Sequence, residues 1–161
     1  MSFSSSTALK TLWVSVLVII VDHLTKYLAV SYLSFGVPYE VMPYLNWTLV
    51  YNHGAAFSFL AEMGGWQRWF FAFLAIAMSV ILLFWLKKLP AKLSIESVGI
   101  NFILGGAVGN LIDRILSGRV TDFIDFYVGN WHYATFNVAD VAITIGAILL
   151  IFNEFFWKKS S

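Results

Sequence analysis

Long apolar runs separated by short polar ones dominate this chain. Four stretches, roughly Thr11 to Val30, Trp66 to Leu86, Ile95 to Leu116 and Val138 to Trp157, stay apolar for about 20 residues each, the length at which a helix rising about 1.5 Å per residue crosses a bilayer core. The pattern predicts four transmembrane helices. The first run exceeds a signal-peptide core and has no small-residue cleavage site before the next polar stretch, so it reads as a retained span. Between the first and second spans lies an extramembrane segment, about 34–65, which holds Pro38 and Pro43 and then a run rich in Trp, Thr, Val and Tyr from Leu45 to Tyr51. A small β-sheet is expected there, with Tyr39, Tyr44, Trp47 and Tyr51 at headgroup depth. The connection from about Ser117 to Phe136 reads as a loop. The fold class expected is an all-α membrane protein: a four-transmembrane-helix bundle with a small extracytoplasmic β-sheet segment between helices 1 and 2, residues 1–161 forming one integral membrane domain.

Composition strengthens this picture. Hydrophobic residues make up 60% of the 161, charged residues 12%, and the mean hydropathy is +0.78, which is the makeup of a polytopic membrane protein. A net charge of +1 from dispersed Lys and Arg gives no support for a nucleic-acid partner. The absence of cysteine removes disulfides, thiol nucleophiles and thiolate metal sites together. His23, His53 and His132 fall in separate segments without a repeated ligand spacing, so no metal site is expected.

Orientation follows from the free lysines. Lys10 precedes the first span, Lys87, Lys88 and Lys92 lie between the second and third, and Lys158 and Lys159 follow the fourth. An even number of spans puts all of these on one side, which the positive-inside tendency makes cytoplasmic. Both termini are then cytoplasmic, and the surface segment and the last connection face outward. Lys26, Arg68, Arg114 and Arg119 contradict a simple count, since they fall at outer ends. Polar side chains that are costly near lipid gather at the same depth. Asp22 lies about 18 Å along the first span, counted at 1.5 Å per residue. Asn110, Asp113 and Arg114 end the third span, Asn137 and Asp140 begin the fourth, and Asp122 sits between them. The third and fourth spans form an antiparallel hairpin, so Asp122 and Asp140 can meet in one outward-facing polar site.

Five strings carry a family likeness: Asp22-His-Leu-Thr-Lys26, Asn52-His-Gly-Ala-Ala-Phe57, Gly105-Gly-Ala-Val-Gly-Asn-Leu-Ile-Asp-Arg114, Val120-Thr-Asp-Phe-Ile-Asp-Phe126 and Phe136-Asn-Val-Ala-Asp140. In order and coverage they resemble the signature blocks of signal peptidase II, the bacterial lipoprotein signal peptidase. The resemblance implies an aspartic endopeptidase of the bacterial inner membrane, a hydrolase that removes the signal peptide from diacylglyceryl-modified prolipoproteins just before the lipidated cysteine. It implies Asp122 and Asp140 as the catalytic pair, with Asp22, Asn52, Gly106, Asn110, Arg114 and Asn137 as the other polar or close-packed site positions. Position 23 is His where the family usually has Gln. Prolipoprotein substrates and membrane lipids are the expected partners, with a monomer and no cofactor.

Elementary chemistry gives the same residues a task. Two carboxyls held close in a poorly solvated site cannot both ionise cheaply, so one keeps a proton and the pair can act as base and acid on a bridging water. Asp140 begins a helix whose dipole favours its anion, which makes it the more acidic member. The asparagines offer donors and acceptors for substrate backbone or for the carboxyls. Arg114 suits either a bidentate carboxylate pair or the carbonyls of the surface segment. Asp22 and Lys26 can form an i,i+4 pair. Simpler readings exist for each residue. An Asp at a helix start is commonly a cap, Gly105 to Asn110 is a close-packing face, and Asp113 with Arg114 makes an interfacial ion pair. Asp125 resembles Asp122 in setting but is expected to face water. A proton-coupled transporter would also carry intramembrane carboxylates, but no internal repeat is present. A scaffold subunit would explain the glycines but not the paired aspartates.

Overall fold

The computed structural model describes residues 7–54 and 65–157. Residues 55–57 of the second motif, Gly64, Lys158 and Lys159 lie outside the described residues. A 3-10 turn, Ala8–Thr11, leads into helix α1, Trp13–Tyr32, and a hairpin of strands β1, Tyr39–Met42, and β2, Leu45–Asn52, follows. Helices α2, Gln67–Lys88, and α3, Ile95–Ser117, come next. Strands β3, Val120–Val128, and β4, Trp131–His132, then precede helix α4, Val138–Phe152, which runs on through a π turn, Asn153–Trp157. Among the described residues, four helices are long and apolar enough to cross a membrane, as the hydropathy pattern predicts.

The sequence sets where these helices stop and start. Ser94 caps α3 by accepting the Ser97 N–H while Ser97 Oγ accepts the Ser94 N–H. At its other end Gly118, at φ +75°, takes the left-handed turn that ends the helix. Asn137 caps α4 in a second reciprocal box with Asp140. α3 is the most buried helix and packs against α1, α2 and α4. The apolar core cluster of Ala8 from the 3-10 turn, Leu82 and Leu86 from α2, and Ile100 and Leu104 from α3 joins those three elements at the end away from the sheet. Nearby, fully buried Asn101 donates to Thr11 Oγ1 at 2.7 Å and accepts from Ser15 Oγ at 2.7 Å, which satisfies a polar group in an otherwise apolar contact.

Small residues bring the helices close. A Cβ on Gly105 would stand 2.8 Å from the Ser15 carbonyl of α1, and one on Gly106 would run into the Ala139 carbonyl of α4. The expected close-packing face therefore serves two neighbours at once. Large apolar side chains such as Trp69, Phe73, Ile81 and Ile148 are exposed on the outside of the bundle, where a bilayer would meet them.

The sheet is larger than the sequence suggests. It has four strands in the order β1-β2-β3-β4, with each adjacent pair antiparallel, so half of it comes from the connection expected to be a loop. Aspartate is disfavoured in strands, and two of them, Asp122 and Asp125, interrupt the apolar alternation of β3. Both are buried and hydrogen-bonded, which makes a strand tolerable there. Tyr44, at φ +75°, turns the β1–β2 hairpin, and its carbonyl accepts the Tyr127 N–H at 3.0 Å.

Candidate active site

Three elements bring the polar residues together: α1 supplies Asp22 and Lys26, α3 supplies Asn110, Asp113 and Arg114, and the start of α4 supplies Asn137 and Asp140. Strand β3 lies above them with Asp122. Asp22, fully buried, accepts the Ala139 N–H through Oδ1 at 2.9 Å and the Lys26 ammonium through Oδ2 at 2.7 Å. Lys26 also donates to Asn110 Oδ1 at 2.9 Å and pairs with Asp113 Oδ2 at 2.8 Å. An ammonium has three donors, and all three are used. The i,i+4 pair expected between Asp22 and Lys26 is therefore present inside a wider network.

Asn110 and Asn137 connect this network to the two aspartates. Asn110 Nδ2 donates to Asp140 Oδ1 at 2.8 Å. Asn137 Nδ2 donates to Asp122 Oδ1 at 2.7 Å, and the Asn137 main-chain N–H reaches Asp140 Oδ2 at 3.2 Å. One residue thus holds both carboxyls. Asn52, at the end of β2, lines the same cavity as Asp122 and accepts the Gly54 N–H at 2.9 Å. Asp122 is 2% exposed. Burial, and secondarily the Asp140 charge, push its carboxyl up from 3.8 to about 7. A cavity of about 510 Å³ lies in front of the pair, lined by Asn52, Asn110, Arg114, Asp122 and Asp140, by residues 133–136, and by apolar side chains of α4.

Of the site residues expected from sequence, Asp22, Lys26, Asn52, Asn110, Arg114, Asp122, Asn137 and Asp140 converge here. Gly106 lies behind them at the α3–α4 contact. Arg114 takes the second of its two expected roles, donating through Nη2 to the Gly54 carbonyl at 3.2 Å. Two expectations are corrected. Asp113 pairs with Lys26 rather than Arg114, because consecutive helix residues point apart while Asp113 stands one turn from Asn110 on the face toward α1. Asp125 does not face water: it is 3% exposed, does not line the cavity, and accepts from Asn46, Thr48 and His132. Sequence reasoning placed Asp113 among the polar residues gathered at the outer end but gave it no pairing with Lys26, although its i,i+3 spacing from Asn110 was the available signal. His23 stands with Nδ1 3.7 Å from Asp113 Oδ1.

The four basic residues that disturb the charge count are each engaged. Besides Lys26 and Arg114, Arg68 donates to the Ile115 carbonyl at 2.6 Å, and the Arg119 guanidinium lies 3.6 Å from the Tyr51 ring centroid. At the opposite end Lys10, Lys87, Lys88 and Lys92 are exposed. Among the described residues, no three of His, Asp or Glu converge in a way that could hold a metal ion.

The family described as signal peptidase (SPase) II matches residues 14–156, nearly the whole chain. The chain belongs to the signal peptidase II family. It is 59% identical to the lipoprotein signal peptidase of Hydrogenovibrio crunogenus over 155 residues, which cover 96% of this chain and 90% of that one. To that of Acinetobacter baumannii it is 52% identical over 148 residues, covering 92% of this chain and 84% of the relative. A bacterial membrane enzyme solved by the in meso method at 2.3 Å superposes with a TM-score of 0.79 at 34% identity, covering 94% of this chain and 90% of that one. The protein is thus an enzyme of the lipoprotein signal peptidase type, and a bacterial multi-pass membrane protein.

Proposed function

We propose that this enzyme is an aspartic endopeptidase that removes the signal peptide from diacylglyceryl-modified prolipoproteins, cutting before the lipidated cysteine with a water activated by Asp122 and Asp140. The observation that carries the proposal is the pair itself. A buried carboxyl, Asp122, and a partly buried one, Asp140, open on one cavity, are tied to one asparagine, and have different environments. Asp140 accepts the Asn137 main-chain N–H and the Asn110 amide at the start of a helix, surroundings that suit an anion. Asp122, raised to about 7, suits the protonated partner.

The reaction then balances without a covalent intermediate. Ionised Asp140 takes a proton from water as its oxygen attacks the scissile carbonyl, and protonated Asp122 gives its proton to the carbonyl oxygen. The resulting gem-diol collapses as the amine leaves with the proton held by Asp140, while Asp122 recovers its own. Asn110 and Asn137 keep the two carboxyls in place throughout. The apolar α4 side of the cavity, with Val141, Ile143 and Ile145, suits an apolar signal helix entering sideways from the bilayer. The exposed lysines at the end away from the sheet support an arrangement with that end cytoplasmic and the cavity outward.

The experiment is cleavage of a lipid-modified precursor by purified protein in detergent, with Asp122→Asn and Asp140→Asn beside the parent. Loss of cleavage in both variants is expected. Parental turnover in either one would remove the dyad from the mechanism.

A further inference from the structure

Asp125 is a buried carboxylate near the site that belongs neither to the aspartate pair nor to the Asp22–Lys26 network. Three donors from three positions converge on it: Asn46 Nδ2 at 3.2 Å, Thr48 Oγ1 at 3.1 Å and His132 Nδ1 at 2.9 Å. Asn46 and Thr48 belong to β2 and His132 to β4, so this carboxylate on β3 ties together the strands on either side of it. Only an acceptor-only group satisfies three donors at once.

The strand it holds is weak by itself. β4 is two residues long and both of them are exposed, and so short a strand contributes little pairing of its own. Beyond it, Tyr133 N–H reaches the Phe126 carbonyl at 2.8 Å and Phe136 N–H the Ile124 carbonyl at 3.0 Å. The residues between those two bonds complete a stretch, 133–136, that forms a wall of the catalytic cavity. The His132 ring also stacks on Tyr127, with centroids 5.6 Å apart.

We propose that Asp125 and His132 form a positioning pair that fixes the 131–136 segment against β3 and so sets the substrate-binding wall of the cavity. The proposal rests on the peptidase reading above. The pair acts on binding rather than on the chemical step, because Asn137 and Asp140 are held independently by the α4 cap and by Asp22 at Ala139. Asp113 and Lys26 belong to that other network, while the His132 ring meets Asp125 and Tyr127.

The test compares Asp125→Asn, His132→Ala, His132→Asn and the Asp125→Asn/His132→Ala double variant in precursor cleavage, with amide exchange across 131–136 measured in the same detergent. KM should rise about fivefold or more in Asp125→Asn and His132→Ala with kcat within about twofold, the split expected when only substrate binding is disturbed. The double variant should be no worse than the singles within about twofold, since the two residues act through one contact. His132→Asn keeps a donor in the place of Nδ1 and should restore most of the loss. Exchange across 131–136 should quicken in the same two single variants. A parental KM in both, a fall in kcat at constant KM, or penalties that multiply in the double variant would overturn the pair. If Asp125→Asn does not fold, His132→Ala decides alone, because that side chain is 50% exposed. Cleavage surviving in Asp122→Asn would instead strike the peptidase mechanism, leaving the exchange measurement to decide the pair.

Discussion

Asp22 Oδ1 accepts the main-chain N–H of Ala139 at 2.9 Å, so a carboxylate on the first helix fixes the first turn of the fourth, 117 positions away in the chain. The same side chain neutralises Lys26, and Lys26 orients Asn110, which in turn holds Asp140. Asp22→Ala removes one partner of a buried ion pair and an acceptor for a helix N-terminus. It should cost about 3 kcal/mol of stability, the scale of breaking such a pair from one side. Thermal unfolding in detergent checks this, and a transition unmoved from the parent's would mean the network is not structural.

Asp122→Asn should separate activity from stability. Cleavage should fall by about a hundredfold or more, the scale of a lost general acid, while the unfolding temperature holds or rises because a costly buried carboxyl has been replaced. A variant that is both inactive and much less stable would point to a structural role for Asp122 instead.

The raised Asp122 carboxyl also makes pH predictions. Acid catalysis needs its proton, so turnover should fall as pH climbs through about 7. For stability, the folded chain keeps that proton up to about 7, whereas the unfolded chain releases it near 3.8. Between those values the folded state binds more protons, so stability falls with rising pH and levels off above about 7. Unfolding followed across this range should show a flatter dependence in Asp122→Asn than in the parent. Turnover still rising well above neutrality would contradict the assignment of Asp122 as the acid.

Gly106→Ala tests the close approach behind the site. The added methyl would meet the Ala139 carbonyl, at the turn that presents Asp140. Overpacking of this kind costs about 1–3 kcal/mol, and here it should also lower kcat by moving Asp140 from Asn110. Parental stability together with parental kcat would show that α4 can yield at this point.

The helices and most of the polar site were legible in the sequence because the forces behind them are local or strong. An apolar run of bilayer length has few alternatives to a spanning helix. Charged residues such as Asp22 and Lys26, set one turn apart within such a run, need partners. Strand β3 was not legible. Its aspartates make Val120 to Val128 read as a polar connection, and only the partners supplied by β2, β4 and α4 turn that stretch into an interior strand. Asp125 failed for the same reason: its burial depends on Asn46 and Thr48, more than seventy residues earlier. The role of Asp113 was hidden by its neighbour, since adjacency to Arg114 suggests a pair that helix geometry does not allow.

The interior position of β3 has its own effect on fidelity. Neighbours on consecutive strand positions point to opposite faces, so Asp122 looks into the cavity while Phe123 lines a separate apolar groove beside Thr25 and Ala29. Slippage by a single position would present a phenyl ring to the scissile bond and bury the acid against helix α1. Hydrogen bonding on both edges guards against that error, so the ladder itself selects which face of the strand does chemistry.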